Sequence, residues 1–392
     1  MACPNPVRID QPAWASITDD AAAHAFCDSI GYPVIVRPSY VLSGAAMSVV
    51  RGPEELSHLL AEATSASPDH PVVISRFVEG AFEVDVDAVA SGGDVVAYAI
   101  SEHLERGGVH SGDATLVLPP FRLSEVAQQR LKDDTAKIAS ELNVSGPLNT
   151  QFLVLPMEDS EWIGVIETNL RASRSVPFVS KVLDVDFIER ATACTLKIDG
   201  ALKEPKCDTK PNHTGVKSPQ FSFARLLGAD PILGVEMHST GEVACFGETI
   251  EEAYLKSLVS THFELPPNGS SILVCARKGA HGSLKDAISG ARSLATQGYK
   301  MLAADDETSG LLTSSGVTND VCSADELIAK RQITLVLDLS GNHADFYSTR
   351  RSTVDFSIPL ITNHEQVILF AKAMTSSTPL ISRSYDEYMP TE

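Results

Sequence analysis

The sequence predicts two unlike bodies in series, a mixed α+β domain followed by a smaller α/β domain with a parallel sheet. Three observations predict this. Between residues 72 and 168 the text is dominated by paired β-type runs, Pro266-Pro267-Asn268-Gly269 makes a sharp break, and after it short apolar runs alternate with amphipathic stretches. The length of 392 residues already exceeds one ordinary core, at about 100 to 200 residues per domain.

In the first part, Thr18-Asp19-Asp20 can cap a helix that Gly31 and Pro33 end. A strand at 34–36 then runs into Arg37-Pro38-Ser39-Tyr40, and a helix follows near 53–63. Next come a short strand at 72–77 and a hairpin, in which Glu83-Val84-Asp85-Val86-Asp87 alternates polar and apolar, Gly92-Gly93 turns, and 95–100 returns. Strict alternation predicts one wet face. Residues 124–142 read as a long amphipathic helix, and 148–155 with 162–168 as a second hairpin. Residues 203–218 lack periodicity and read as an exposed loop. Beyond 268, strands at 271–276, 300–304 and 333–339 alternate with helices at 284–297, 307–314 and 365–374.

Composition narrows the function. The apolar fraction of 43% is globular, and no run of about 18 apolar residues offers a membrane span. The formal charge of −20, without Lys/Arg clusters, excludes a nucleic-acid backbone as the natural partner. An anionic ligand must therefore be held by local arginines, backbone N–H groups or a metal. The seven cysteines, Cys3, Cys27, Cys194, Cys207, Cys245, Cys275 and Cys322, show no C-x-x-C spacing and read as reduced thiols. The opening residues lack both a signal core and an Arg-rich amphipathic pattern. The expected compartment is the cytoplasm, with the mitochondrion open.

Neither a G-x-x-x-x-G-K-[ST] nor a G-x-G-x-x-G cradle is present. The second hairpin offers a different route to phosphate. Glu167 and Asn169, two apart, share a strand face, and Gln151 sits on the neighbouring strand. Together they supply the hard oxygen ligands that Mg²⁺ or Mn²⁺ prefers, with Arg171 and Arg174 as anion donors just beyond. On spacing alone the same set is equally a solvated strand end.

Several motifs occur in order: RPSYVLSGAAM at 37–47, EVDVDA at 83–88, GVHSGD at 108–113, NTQF at 149–152 and ETNLRASRSVPFVSK at 167–181. By these the chain resembles the carbamoyl phosphate synthetases, specifically the C-terminal half of the large, ammonia-utilising part and its eukaryotic members. The resemblance implies an ATP-grasp domain at 1–196 lacking its pre-ATP-grasp subdomain, the rest of the synthetase half at 197–268, and a methylglyoxal-synthase-like regulatory domain at 269–392. It implies an enzyme, a ligase that phosphorylates carbamate with ATP and Mg²⁺ or Mn²⁺ in arginine, urea or pyrimidine synthesis. The alternative is a non-catalytic nucleotide- and effector-binding fragment acting within a larger assembly. Expected partners are ATP, carbamate, an N-terminal synthetase half and a glutaminase.

The resemblance also implies site residues. Arg37 would meet the nucleotide phosphates and Arg76 the nucleotide, with Glu83 on the ribose and Gly108, Val109, His110 and Ser111 on a lining loop. Gln151 and Glu167 would serve both nucleotide and metal, and Asn169 would be a further metal ligand. Arg171 and Arg174 would take the anion during catalysis. Lys278, Thr308 and Ser309 would lie near an effector site, although Asp320-Val321-Cys322-Ser323 and Asp338-Leu339-Ser340-Gly341-Asn342 depart from the animal urea-cycle pattern there.

Overall fold

The structure, a computed structural model, describes residues 9–41, 43–198, 211–280, 283–376 and 380–389. The chain divides into two compact units. Met1–Asn212 and Gly234–Met237 form the first, His213–Leu233 and His238–Glu392 the second. Residues 213–233 and 238–268 are therefore grouped with the alternating βα text.

The first unit opens with β1 (Trp14–Ile17), α1 (Asp20–Ile30), β2 (Val34–Arg37), β3 (Ser48–Val50), α2 (Pro53–Ala66) and β4 (Val72–Arg76). The Asp19 side chain caps α1 by accepting from the Ala22 N–H, and Pro53 opens α2 where its missing N–H costs nothing. The strands pair antiparallel in the order β1-β4-β2-β3. Cys27, Leu56, Leu60 and Ala63 from the two helices bury against Val34, Val36, Val72 and Ile74.

A second antiparallel array follows from β5 (Phe82–Ser91), β6 (Asp94–Arg106), β7 (Leu116–Leu118), α3 (Glu125–Glu141), β8 (Gly146–Pro156), β9 (Glu161–Asn169), α4 (Val176–Leu183) and α5 (Phe187–Leu196). Its strands run β7-β6-β5-β8-β9, and α3 buries Ala127 and Leu131 against Val84, Val86, Phe152 and Val154. The wet face expected of the first hairpin is corrected here. Asp85 and Asp87 are buried along with the apolar side, because the opposite face of β5 is covered as well.

The second unit contains β10 (Thr214–Phe221), β11 (Ser239–Gly247), α6 (Ile250–Ser260), β12 (Ser271–Ala276), α7 (Leu284–Thr296), β13 (Lys300–Ala303), α8 (Asp306–Ser314), β14 (Asn319–Val321), α9 (Ala324–Ala329), β15 (Leu335–Leu339), α10 (Tyr347–Asp355), β16 (Leu360–Ile361) and α11 (His364–Thr375). The expected loop at 203–218 lies outside the described residues as far as 210. From Thr214 it is strand, paired antiparallel with β11, and Val216, Lys217 and Ser218 are buried. The expected parallel sheet is present with the order β14-β13-β12-β15-β16, every pair parallel. Among the described residues no helix is long and apolar enough to cross a membrane.

A fully buried arginine ties this unit together. Arg350 of α10 donates from Nη1 to Asp338 Oδ2 at 2.7 Å, and from Nε and Nη2 to the two oxygens of Asp230 at 2.8 and 2.7 Å. Removing the guanidinium would leave Asp338 buried without its counter-charge. Arg350→Ala is therefore expected to destabilise the second unit by about 3–5 kcal/mol. Both tryptophans, Trp14 and Trp162, lie in the first unit. Urea unfolding should thus show an earlier transition by circular dichroism and an unchanged one by tryptophan fluorescence.

Candidate functional site

Antiparallel pairing of three strands lays two polar rungs side by side. Asp85 of β5 is opposite Gln151 of β8, which is opposite Glu167 of β9, and Asp87, Asn149 and Asn169 align in the same way. Alternate residues of a strand share a face, so all six side chains project from one side of the array. The structure thus brings together Gln151, Glu167 and Asn169 as the spacing anticipates. It adds Asp85 and Asp87, whose alternation was visible in the sequence but read as solvent-facing, and Asn149, which the sequence showed only as part of the NTQF motif.

Each amide nitrogen in these rungs is tied to a carboxylate. Gln151 Nε2 donates to Asp85 Oδ1 at 2.9 Å, Asn149 Nδ2 to Asp87 Oδ1 at 3.0 Å, and Asn169 Nδ2 to Glu167 Oε1 at 2.9 Å. A hard cation such as Mg²⁺ needs oxygen donors, and with their NH₂ groups engaged Gln151 and Asn169 have their amide oxygens left to offer in a cleft they line together with Glu167. Among the described residues no group of three His, Cys, Asp or Glu suits a metal, so the set depends on amides. The residues present therefore fit a hard divalent ion.

Above the rungs lies a cleft of about 460 Å³ within the first unit, lined in part by Arg37, Arg76, Glu83, Gln151, Glu167, Asn169 and Arg171. Arg37 donates to Glu167 Oε2 at 3.2 Å, and Arg171 to Asn169 Oδ1 at 3.4 Å. Arg76 reaches the lining while donating to the Ile30 carbonyl at 3.1 Å. Gly108, Val109, His110 and Ser111 also line the cleft. Arg174 is not part of the lining; its Nη1 donates to Met237 Sδ at 3.0 Å.

Two loops shape the opening. Glu83 accepts from the Gly108 N–H at 3.1 Å, and a Cβ on Gly108, whose φ is +103°, would press on the Phe77 ring at 3.0 Å. His110 accepts at Nδ1 from the Gly112 N–H at 3.0 Å, so its proton resides on Nε2, and burial lowers its pKa. Gly44 lies so close to Val235 that a Cβ would sit 2.3 Å from the carbonyl oxygen, and Val235 itself lines the cleft. Of the apolar lining residues, Met47 closes the motif at 37–47, whereas Phe77, Leu153 and Val235 carry no sequence signal that distinguishes them from core.

Burial dominates the electrostatics. It raises the Asp87 pKa to about 7, helped by the Asp85 charge and opposed by hydrogen bonds from Ser173 and Asn149. Burial also raises that of Glu83, against the opposing His103 charge and the Gly108 N–H. For His103 burial works against the charge, but the hydrogen bond to Asp85 and the charges of Asp85, Glu83 and Glu105 outweigh it, and its pKa rises. His103 Nε2 is 3.1 Å from Asp85 Oδ2 and Nδ1 is 3.8 Å from Glu83 Oε2.

In the second unit, Lys278, Thr308 and Ser309 gather at the C-terminal ends of β12 and β13, where open parallel sheets bind ligands. Thr308 is buried and spends its hydroxyl on both the carbonyl and the N–H of Ala276. The Lys278 backbone N–H donates to Glu307 Oε1 at 2.8 Å. The neighbouring Arg277 pairs with Asp305 at 2.7 Å and Asp345 at 3.1 Å and stacks on Phe346. Among the described residues the carboxylates of Asp305, Glu307 and Asp345 thus outnumber the cations of Arg277 and Lys278 here, a poor reception for phosphate.

Two antiparallel arrays facing a common cleft, with acids and amides on its floor and glycine-bearing loops at its mouth, define the ATP-grasp class of nucleotide-binding fold. A solved biotin carboxylase domain of the Hydrogenobacter thermophilus 2-oxoglutarate carboxylase shares that fold, with a TM-score of 0.52 and 14% identity over 65% of this chain and 63% of its own. Residues 7–199 match the family described as "Carbamoyl-phosphate synthase L chain, ATP binding domain". Over the stretch it spans, the chain belongs to the carbamoyl phosphate synthase large-chain family. It is 43% identical, over 95% of its own length, to the arginine-specific mitochondrial large chain of Neurospora crassa. It is 44% identical over 94% to the multifunctional protein pyr1-3 of Dictyostelium discoideum. The chain covers 33% and 17% of these two relatives.

The raised pKa of Asp87 has a sign that can be measured. The folded state holds this proton up to about pH 7, whereas the unfolded carboxyl releases it near 3.8, so the native state binds more protons in between. Stability must fall as pH rises through that window, by at most about 1.4 kcal/mol per pH unit for this group. The raised pKa of His103 acts in the same direction, its stabilisation being lost as pH rises through the folded value. Tryptophan-detected urea midpoints should decline from about pH 5 to about pH 7.5, and Asp87→Asn should flatten the slope.

Proposed function

We propose that the cleft binds ATP with Mg²⁺ or Mn²⁺ and transfers the γ-phosphoryl group to carbamate, giving carbamoyl phosphate and ADP. The observation that carries this reading is the paired rung of Gln151–Glu167 and Asn149–Asn169 below a cleft lined by Arg37 and Arg171. The family likeness supports it, as does the size of the cleft, which suits a small ligand. The arginine-specific and multifunctional relatives support a place in arginine or pyrimidine synthesis.

In this reading Gln151, Glu167 and Asn169 would hold the metal, whose contribution would be to neutralise phosphate charge. Arg37 would hold the phosphates, Arg171 and Arg174 the carbamate and the charge developing during transfer, and Arg76, Glu83 and the 108–111 loop the nucleoside. The carbamate oxygen is itself the nucleophile, so positioning and charge neutralisation suffice. Residues 1–196 would form the catalytic domain, 197–268 complete the synthetase half, and 269–392 form a methylglyoxal-synthase-like regulatory domain. The all-parallel sheet supports that last assignment. The carboxylates of Asp305 and Asp345 around Arg277 weigh against a phosphate-bearing effector at Lys278, Thr308 and Ser309.

A second reading, a nucleotide-binding module that works only inside a larger assembly, is favoured by the small share of its relatives that the chain covers. An N-terminal synthetase half and a glutaminase are the proposed partners. We propose the cytoplasm as the compartment, with the mitochondrion as the alternative supported by the mitochondrial large chain of Neurospora crassa.

Incubation with carbamoyl phosphate and MgADP, followed by measurement of ATP, separates the readings. The wild-type chain is expected to form ATP, and Glu167→Gln to lose at least about tenfold in rate. No ATP with retained ADP binding would favour the assembly-dependent module. Neither ATP nor ADP binding from folded protein would refute the nucleotide site.

A further inference from the structure

The metal reading requires Gln151 to face the cleft with oxygen rather than nitrogen, yet an amide is nearly symmetric in shape and fits either way round. Something must break that symmetry. Asp85, on the adjacent strand and 3% exposed, accepts the Gln151 Nε2–H at 2.9 Å. An ionised carboxylate has no proton to donate, so the amide group facing it must be NH₂. The other Asp85 oxygen is 3.1 Å from His103 Nε2. By the same rule His103 must carry its proton on that nitrogen.

We propose that Asp85 is a positioning residue that sets the polarity of the Gln151 amide and thereby makes it an oxygen donor to a divalent cation. The order of donors runs His103 to Asp85, Gln151 to Asp85, and then the Gln151 oxygen to the cleft. It rests on the metal-nucleotide reading above and assigns a role to a side chain that is not part of the cleft lining.

Asp85→Asn is the discriminating substitution because it is isosteric. With His103 still donating, the new side chain presents its oxygen to His103 and its NH₂ to Gln151. Gln151 must then turn its own oxygen inward and put NH₂ into the cleft. The readout is Mn²⁺ binding to the full chain in the presence of ADP, from the free Mn²⁺ electron paramagnetic resonance signal, with metal-free ADP binding measured alongside. Asp85→Asn should weaken Mn²⁺ binding roughly 10- to 100-fold and leave metal-free ADP affinity within about threefold. In a Gln151→Ala background the same change should have little further effect, because the residue it acts through is gone.

Unchanged Mn²⁺ affinity in folded Asp85→Asn overturns the proposal. So does a loss of equal size with and without Gln151, which would make Asp85 a long-range charge rather than a positioning residue. If the wild type binds ADP but no Mn²⁺, the underlying metal reading fails, and the positioning role fails with it. Should Asp85→Asn not fold, Asp85→Ala in the same cycle leaves the Gln151 amide without an orienting acceptor and is expected to show a smaller, still non-additive loss.

Discussion

The register of β8 on its two neighbours is the constraint from which the site follows. Gln151 can lie beside both Asp85 and Glu167 only while β5, β8 and β9 keep one alignment. A slip by one residue would send every polar side chain of a rung to the opposite face and bury it against α3. A bulge refines this alignment. Thr150 and Gln151 pair with Thr168 and Glu167, but Phe152 pairs with Val165, leaving Ile166 as the extra residue. Ile163 and Val165 can therefore join Phe152 and Val154 in the core, while Glu167 and Asn169 turn to the cleft.

That geometry concentrates negative charge where water is scarce. Asp85, Asp87 and the neighbouring Glu83 would repel one another if they stood alone, and an uncompensated buried carboxylate costs several kcal/mol. Compensation is local. His103 stands between Glu83 and Asp85, Gln151 and Asn149 donate to Asp85 and Asp87, and Gly108 donates its N–H to Glu83. The hydrogen bonds that relieve the carboxylates are the same ones that hold the amide oxygens outward. Stability of the floor and selectivity for a cation are therefore properties of one network. For a chain of net charge −20, an anionic ligand is welcomed only where Arg37 and Arg171 offset these acids.

The second unit repeats the theme of a guanidinium among carboxylates with a different outcome. Arg350 is fully enclosed and joins Asp230 to Asp338, a structural tie. Arg277 lies at the rim of the parallel sheet, its charge taken by Asp305 and Asp345 and its face by Phe346. The family resemblance implied that Lys278, Thr308 and Ser309 lie near an effector site, and in the structure the Thr308 hydroxyl serves the β12 backbone. The sequence order of these residues is compatible with either role. Only their hydrogen-bond partners distinguish them.

Local patterning determined most elements on its own, because a helix or strand is written in the period of its apolar residues and in caps such as Asp19. It also determined the change of architecture after Pro266-Pro267 and the polar identities of Gln151, Glu167 and Asn169. It could not disclose strand β10, whose neighbours look like loop, nor the burial of Asp85 and Asp87, since alternation reports that two faces differ and not which of them is covered. The direction of the Glu167 side chain relative to Val165 depended on a bulge, and the polarity of the Gln151 amide on a carboxylate 66 residues away in the chain. Those features were decided by the tertiary structure because hydrogen-bond register and burial are properties of pairs of strands, which no single stretch of sequence contains.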